Sequence, residues 1–126
     1  MKIHILGQEQ GKIGGGWSFA SNLGKLFETA APEDCDIFFI TSVSMLGKLS
    51  EIPEGKKIVL RVDNVLKRSA NRDIYPFRGD KVTMMEAMRL VAQRADMVVY
   101  QSEWARDYLD PYLKARKYRV ILNSVD

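Results

Sequence analysis

One cysteine, one histidine and no apolar run of membrane-spanning length mark this chain of 126 residues. Cys35 cannot close an internal disulfide and has no companions for a zinc site, so a reducing compartment is its simplest setting. With His4 as the single imidazole, and both residues in runs expected as strands, no Ser/His/Asp or Cys/His set can be assembled. Self-sufficient hydrolysis is therefore not expected, nor is a metal centre. No run of Lys and Arg exceeds two, and 19 basic against 16 acidic residues leave a net charge of only +3. That argues against a nucleic-acid partner. No segment approaches the roughly 18 apolar residues of a bilayer span, and "MKIHILGQEQ" lacks the long apolar run of a secretion signal. The expected location is the cytoplasm, with a mild basic bias compatible with peripheral contact at an acidic membrane surface.

What is present is an ordinary globular composition, 46% hydrophobic and 28% charged, long enough to bury a core without staples. Five runs read as strands: "KIHIL" from Lys2, "DIFFIT" from Asp36, "KIVLRV" from Lys57, "DMVVYQ" from Asp96 and "YRVIL" from Tyr118. They are continuous in Val, Ile and Phe, as strands covered on both faces are, which favours a parallel sheet. Helical spacing links Ala20, Leu23, Phe27 and Ala30, and again Met84, Met88, Val91 and Ala95. The fold expected is α/β: a Rossmann-like, doubly wound sheet of about five mainly parallel strands with helices on both faces, forming one domain over residues 1–126. Between the second and third runs, Pro53 and Gly55 leave room for only a short helix. Residues 64–80, "NVLKRSANRDIYPFRGD", read as one long irregular segment of the kind that carries function. A last helix begins near Glu103, and Asp110-Pro111 is expected to bend or split it.

Ligands of open parallel sheets bind beyond the carboxyl ends of the strands. That rule selects the loop of Gly14, Gly15 and Gly16, then Asp63 and Asn64, then Gln101, Ser102, Glu103 and Trp104. Glycines let backbone N–H groups approach an anion, and a following helix offers its positive end. The spacing misses the last glycine of the dinucleotide fingerprint, and Gly11-Lys12 is followed by Ile13 where a phosphate loop of the Walker type needs Ser or Thr. By residue physics alone the loop suits a phosphate cradle and a flexible turn equally.

Plain structural roles stand beside these readings. His4 suits strand packing, Asp63-Asn64 suits a turn, and Arg68, Arg72 and Arg78 suit a solvated loop face, although arginines beside a crevice also suit phosphate or carboxylate recognition. Trp104, Tyr108 and Tyr112, four residues apart, suit a packed helix face, the six methionines suit core filling, and Cys35 suits a small buried position at a strand start.

The stretches "IGGGWSFASNL", "LRVDNVLKRSANRD", "ADMVVYQSEWARDYL" and "RVILNSVD", in that order, resemble the N-terminal half of family-four nucleotide-sugar glycosyltransferases, which have the two-domain B-type fold. The last is similar to the family's I-x-N-G-V-D crossover, with Ser124 where glycine is usual. The resemblance spans essentially the whole chain. It implies transfer of a sugar from a nucleotide diphosphate sugar to an acceptor hydroxyl, with retention and without a required metal or other cofactor. It implies that Gly14, Gly15 and Gly16 face the donor's phosphates, and that Trp17, Asp63, Asn64, Arg68, Arg72, Ser102 and Glu103 line the acceptor side of the cleft. Where many members have a functional histidine, this chain has Arg61-Val62-Asp63, so no catalytic residue is carried over. The family's donor-binding domain would begin about where Asp126 stands, so the expected partners are a sugar or glycoconjugate acceptor and a donor-binding domain in cis or in trans. An exposed cleft edge would favour self-association. The competing expectation is a non-catalytic Rossmann-like module that binds a nucleotide or a protein, with Trp17 and Phe19 as its docking patch.

Overall fold

The computed structural model describes residues 1–6, 25–41, 43, 46, 49–62, 74–75 and 82–121. The expected apolar runs form β1 (Lys2–Leu6), β3 (Ile37–Ile40), β4 (Lys57–Val62), β7 (Met97–Tyr100) and β8 (Tyr118–Val120). Between the first two lies β2 (Glu28–Thr29), giving one six-stranded sheet in the order β2-β1-β3-β4-β7-β8. Every pair in it is parallel. The register aligns Leu6 with Ile40, Ile40 with Leu60, and Leu60 with Val98.

Alternation along these strands supplies two apolar faces. Phe38, Ile40, Ile58, Leu60, Val62, Val98 and Tyr100 join Met88, Val91, Leu109 and Leu113 in the main core. Those last four belong to helices α1 (Met84–Arg94) and α2 (Glu103–Leu113), which pack together on that face. Ile3, Ile5 and Phe39 form a smaller buried cluster on the other. Strands buried on both sides have no solvent face to mark with polar residues, which is why the runs read as continuous. The helix expected over Ala20 and Leu23 lies outside the described residues, and with it the layering on the second face.

At the amino rim the same device appears twice. Asp36, just before β3, accepts from the Lys2 backbone N–H through its carboxylate at 2.8 Å and donates its own N–H to Lys2 O at 2.8 Å. Asp96, just before β7, does the same with Ile58, at 2.8 Å in both directions. Each aspartate satisfies a donor that a strand start leaves open.

Several expectations need correction. The sheet has a sixth strand beyond the five expected runs: Glu28 and Thr29 are polar and exposed, and pair through backbone alone, so no side-chain pattern announces them. The helical spacing does not extend to residues 27–30, because Phe27 sits in a bend and Ala30 N–H bonds Ile3 O at 3.1 Å. The segment expected to be irregular contributes Ile74–Tyr75 (β5), which pairs antiparallel with β6 (Val82–Thr83). Pro111 does not split the last helix. A proline near a helix end removes one backbone bond, and here Asp110 anchors that end. Its backbone O accepts from Lys114 N–H at 2.8 Å, and its carboxylate accepts from Tyr100 Oη at 2.7 Å and Ala115 N–H at 3.3 Å.

Burial, then the bond to the Asp110 carboxylate, pushes the Tyr100 phenol far above its ordinary range. A raised folded value means stability that is complete below about pH 10 and lost as pH rises beyond it, because the unfolded chain releases that proton first. We expect Tyr100→Phe to cost about 1–3 kcal/mol near neutrality. In urea melts at about pH 8 and about pH 11 the variant should lose less stability on alkalinisation than the parent; equal losses would contradict this assignment.

Candidate functional site

With every strand of the sheet parallel, Leu6, Ile40, Val62, Tyr100 and Val120 all end on one rim. The chain leaves β1 for the edge strand β2 and returns past β1 to β3. Successive connections therefore diverge at the β1–β3 boundary, the place where open α/β sheets form a crevice.

Three polar side chains cross-tie this rim. Thr41, fully buried just beyond β3, donates its hydroxyl to Leu6 O at 2.7 Å. Arg61, only 4% exposed, donates from Nη1 to Thr41 O at 3.4 Å. Gln101, just beyond β7, donates from Nε2 to Val62 O at 2.8 Å. The ends of β1, β3, β4 and β7 are thus linked in sequence by side chains in addition to their ladders. A buried guanidinium is costly unless its donors are used, so Arg61 is fixed where the sheet needs it. Sequence reasoning missed Thr41 and treated Arg61 only as a departure from a family pattern. The available signal was a polar residue closing or interrupting an apolar run: Thr41 after "IFFI" and Arg61 within "IVLRV".

Of the residues expected at the site, Ser102 and Glu103 fall on this rim at the start of α2. Ser102 has extended backbone and its Oγ accepts from Ala105 N–H at 3.0 Å, so it is the helix cap. Glu103 occupies the first turn, its side chain 66% exposed and 2.8 Å from Arg106 Nη2. Arg106 also donates to Tyr118 Oη at 3.0 Å and pairs with Asp107 at 2.8 Å. The bond to Tyr118, followed by that to Asp107, raises its already high guanidinium pKa. Gly14, Gly15, Gly16, Trp17, Asp63, Asn64, Arg68 and Arg72 lie outside the described residues. The strands that precede them, β1 and β4, end on the same rim as Ser102 and Glu103.

The aromatic row of α2 does not pack as expected. Ala105, Leu109 and Leu113 form its buried stripe, and at 3.6 residues per turn Trp104 and Tyr108 fall about 100° away from their neighbours in that stripe. Trp104 is 65% exposed and Tyr108 44% exposed, with parallel rings 5.2 Å apart at 8°. Tyr112 alone of the three reaches the core margin, with the Arg89 guanidinium 5.3 Å from its ring centroid. Two rows of fourfold spacing run along this helix, and spacing alone could not say which faced inward.

The plain roles of His4 and Cys35 agree with the structure. His4 stacks on Phe38 at 5.1 Å and places Nδ1 3.0 Å from Ala30 O, which requires the proton on Nδ1. Cys35 is buried and its thiol donates to Pro32 O at 3.1 Å. Among the described residues no group of three or more His, Cys, Asp or Glu could hold a metal ion, and no helix is long and apolar enough to cross a membrane. No protein family, curated protein or solved structure matches this chain.

The rim ties make a direct prediction. Thr41→Val keeps the shape and removes the donor to Leu6 O, and should cost about 1–3 kcal/mol in urea unfolding with the slope unchanged. An unaltered midpoint would mean that the hydroxyl holds nothing.

Proposed function

We propose that this chain is the acceptor-side domain of a glycosyltransferase, which transfers a sugar from a nucleotide diphosphate sugar to an acceptor hydroxyl. The observation that carries the reading is the common rim. The strand ends at Leu6 and Val62 and the Gln101–Ser102–Glu103 turn lie on this one rim, in the chain order of the family-like stretches. On this reading Glu103 accepts hydrogen bonds from acceptor hydroxyls at the mouth of the rim, while Ser102 holds the helix start that presents it. Trp17, Asp63, Asn64, Arg68 and Arg72 complete the acceptor side; Gly14, Gly15 and Gly16 face the donor's phosphates. In transfer, the bond from the anomeric carbon to the diphosphate oxygen breaks and one to the acceptor oxygen forms. The departing negative charge requires stabilisation from a donor-binding domain, in cis or in trans. The setting is cytoplasmic, with the net charge of +3 compatible with work at a membrane face.

One observation favours a second reading, a non-catalytic module that binds a nucleotide or a protein. Thr41, Gln101 and Ser102 each spend a polar group on the protein's own backbone, and no acid–base pair emerges among the described rim residues.

Purified chain should show negligible transfer across a panel of nucleotide diphosphate sugars, and a saturable tryptophan-fluorescence response to acceptor glycosides. Glu103→Gln should weaken that response roughly tenfold, the range for a charge-assisted hydrogen bond, without moving the melting temperature, since Glu103 is largely exposed. Turnover by the chain alone would overturn the need for a donor-binding domain, and response to nucleotides or a protein alone would favour the second reading.

A further inference from the structure

We infer that Trp104 and Tyr108 form a stacking platform for a pyranose ring of the acceptor, beside the rim and outside the set of residues that the family resemblance supplies. The inference rests on the glycosyltransferase reading and adds to it a subsite and a ligand chemistry.

The ground is the cost of the arrangement. Exposed tryptophan on a helix flank gives up the burial that makes aromatics useful in a core, yet Trp104 stays 65% exposed. Tyr108 covers one face of its indole, in a parallel stack at 5.2 Å and 8°. An indole this exposed, with one face already covered, keeps its other face open to solvent. The stack also fixes the direction in which that face looks, so a flat ligand meets a surface already oriented.

Position narrows the ligand. Trp104 follows Ser102 and Glu103 directly, in the first turn of the helix that leaves the carboxyl rim, so a ring resting on it lies beside the residues assigned to the acceptor. At 200° along the helix from Trp104, Arg106 turns to the opposite flank, where its guanidinium sits 5.6 Å from the Tyr118 ring centroid. Among the described residues of this helix, the platform side carries the two rings, with Glu103 and Asp107 on the intervening arc.

Size narrows it again. The exposed parts of the pair amount to about 200 Å2 on the usual scale for aromatic side chains, against about 800 Å2 per partner in a stable protein interface. That area matches one small ring. Of the other large exposed apolar residues, Met1, Leu26 and Phe27 sit beside the β1–β2 edge at the amino end and Tyr118 lies against Arg106 on the opposite flank of the helix, while Ile121, just past β8, shares the carboxyl rim. A pyranose offers an apolar C–H face to an aromatic ring and hydroxyls around its edge, and carboxylates such as Glu103 and Asp107 accept from hydroxyls. A nucleobase would stack equally well but brings phosphates, which the one net negative charge left on Glu103 and Asp107 after pairing with Arg106 disfavours.

The test uses the full parent chain, whose indoles are Trp17 and Trp104, with Trp104→Phe as the control that removes the platform's own emission. Maltotriose, cellotriose and chitotriose are titrated against its emission, with uridine and adenosine as flat comparators. We expect a saturable change with at least one trisaccharide. In the parent chain, calorimetric affinity for that trisaccharide should fall about tenfold to a hundredfold on Trp104→Ala, the range that one aromatic stacking contact supplies. It should be largely retained by Trp104→Phe. The melting temperature should stay put in both variants, because Trp104 is not in the core. Response to nucleosides but to no trisaccharide, or sugar affinity unchanged in Trp104→Ala, would overturn the platform. Transfer measured with a donor-binding partner separates the two claims. Activity with an acceptor KM indifferent to Trp104→Ala removes the platform and keeps the function. Trisaccharide binding lost in Trp104→Ala keeps the platform even if no donor supports transfer.

Discussion

Because the six strands of the sheet run the same way, every connection that leaves a carboxyl end leaves from one rim. Parallel pairing requires a crossover between neighbouring strands, and crossovers cover the faces, so the strands become apolar on both sides. Polar residues that the chain must carry are then pushed to the two ends of the sheet. The core of Leu60, Val98 and Tyr100 against α1 and α2 follows from this constraint, and so does the concentration of hydrogen-bonding groups at the rims.

The two rims use polarity differently. At the amino end, Asp36 and Asp96 close the ladder with paired backbone bonds to Lys2 and Ile58, a purely structural use. At the carboxyl end, Thr41, Arg61 and Gln101 bind carbonyls of neighbouring strands or turns with their side chains. Those ties fix the strand ends relative to one another, and loops that leave fixed ends can hold a ligand geometry. Glu103 and Trp104 stand just outside this braced layer, and their exposure is what makes them available.

Much of the fold was legible in the residues. Five apolar runs fell on five of the six strands of the sheet, and Thr83 and Ser102 cap the two helices as their residue types lead one to expect. What was not legible has physical reasons. Glu28 and Thr29 pair through backbone atoms, which every residue carries. Pro111 is tolerated because Asp110 collects bonds from Tyr100 and Ala115, residues distant from it or outside any local pattern. Trp104 and Tyr108 share their spacing with Ala105 and Leu109, so only packing distinguishes the exposed row from the buried one. For the candidate site, reasoning from strand ends put Ser102 and Glu103 on the carboxyl rim where they lie, while Thr41 was passed over as part of a strand.

The claim on which the account turns is that ligand approaches the carboxyl rim of the sheet. Amide chemical-shift mapping with an acceptor glycoside reads this directly. The account predicts that perturbed amides cluster at Thr41, Val62 and residues 101–104. A cluster at Lys2, Asp36, Lys57 and Asp96, on the amino rim, would contradict it.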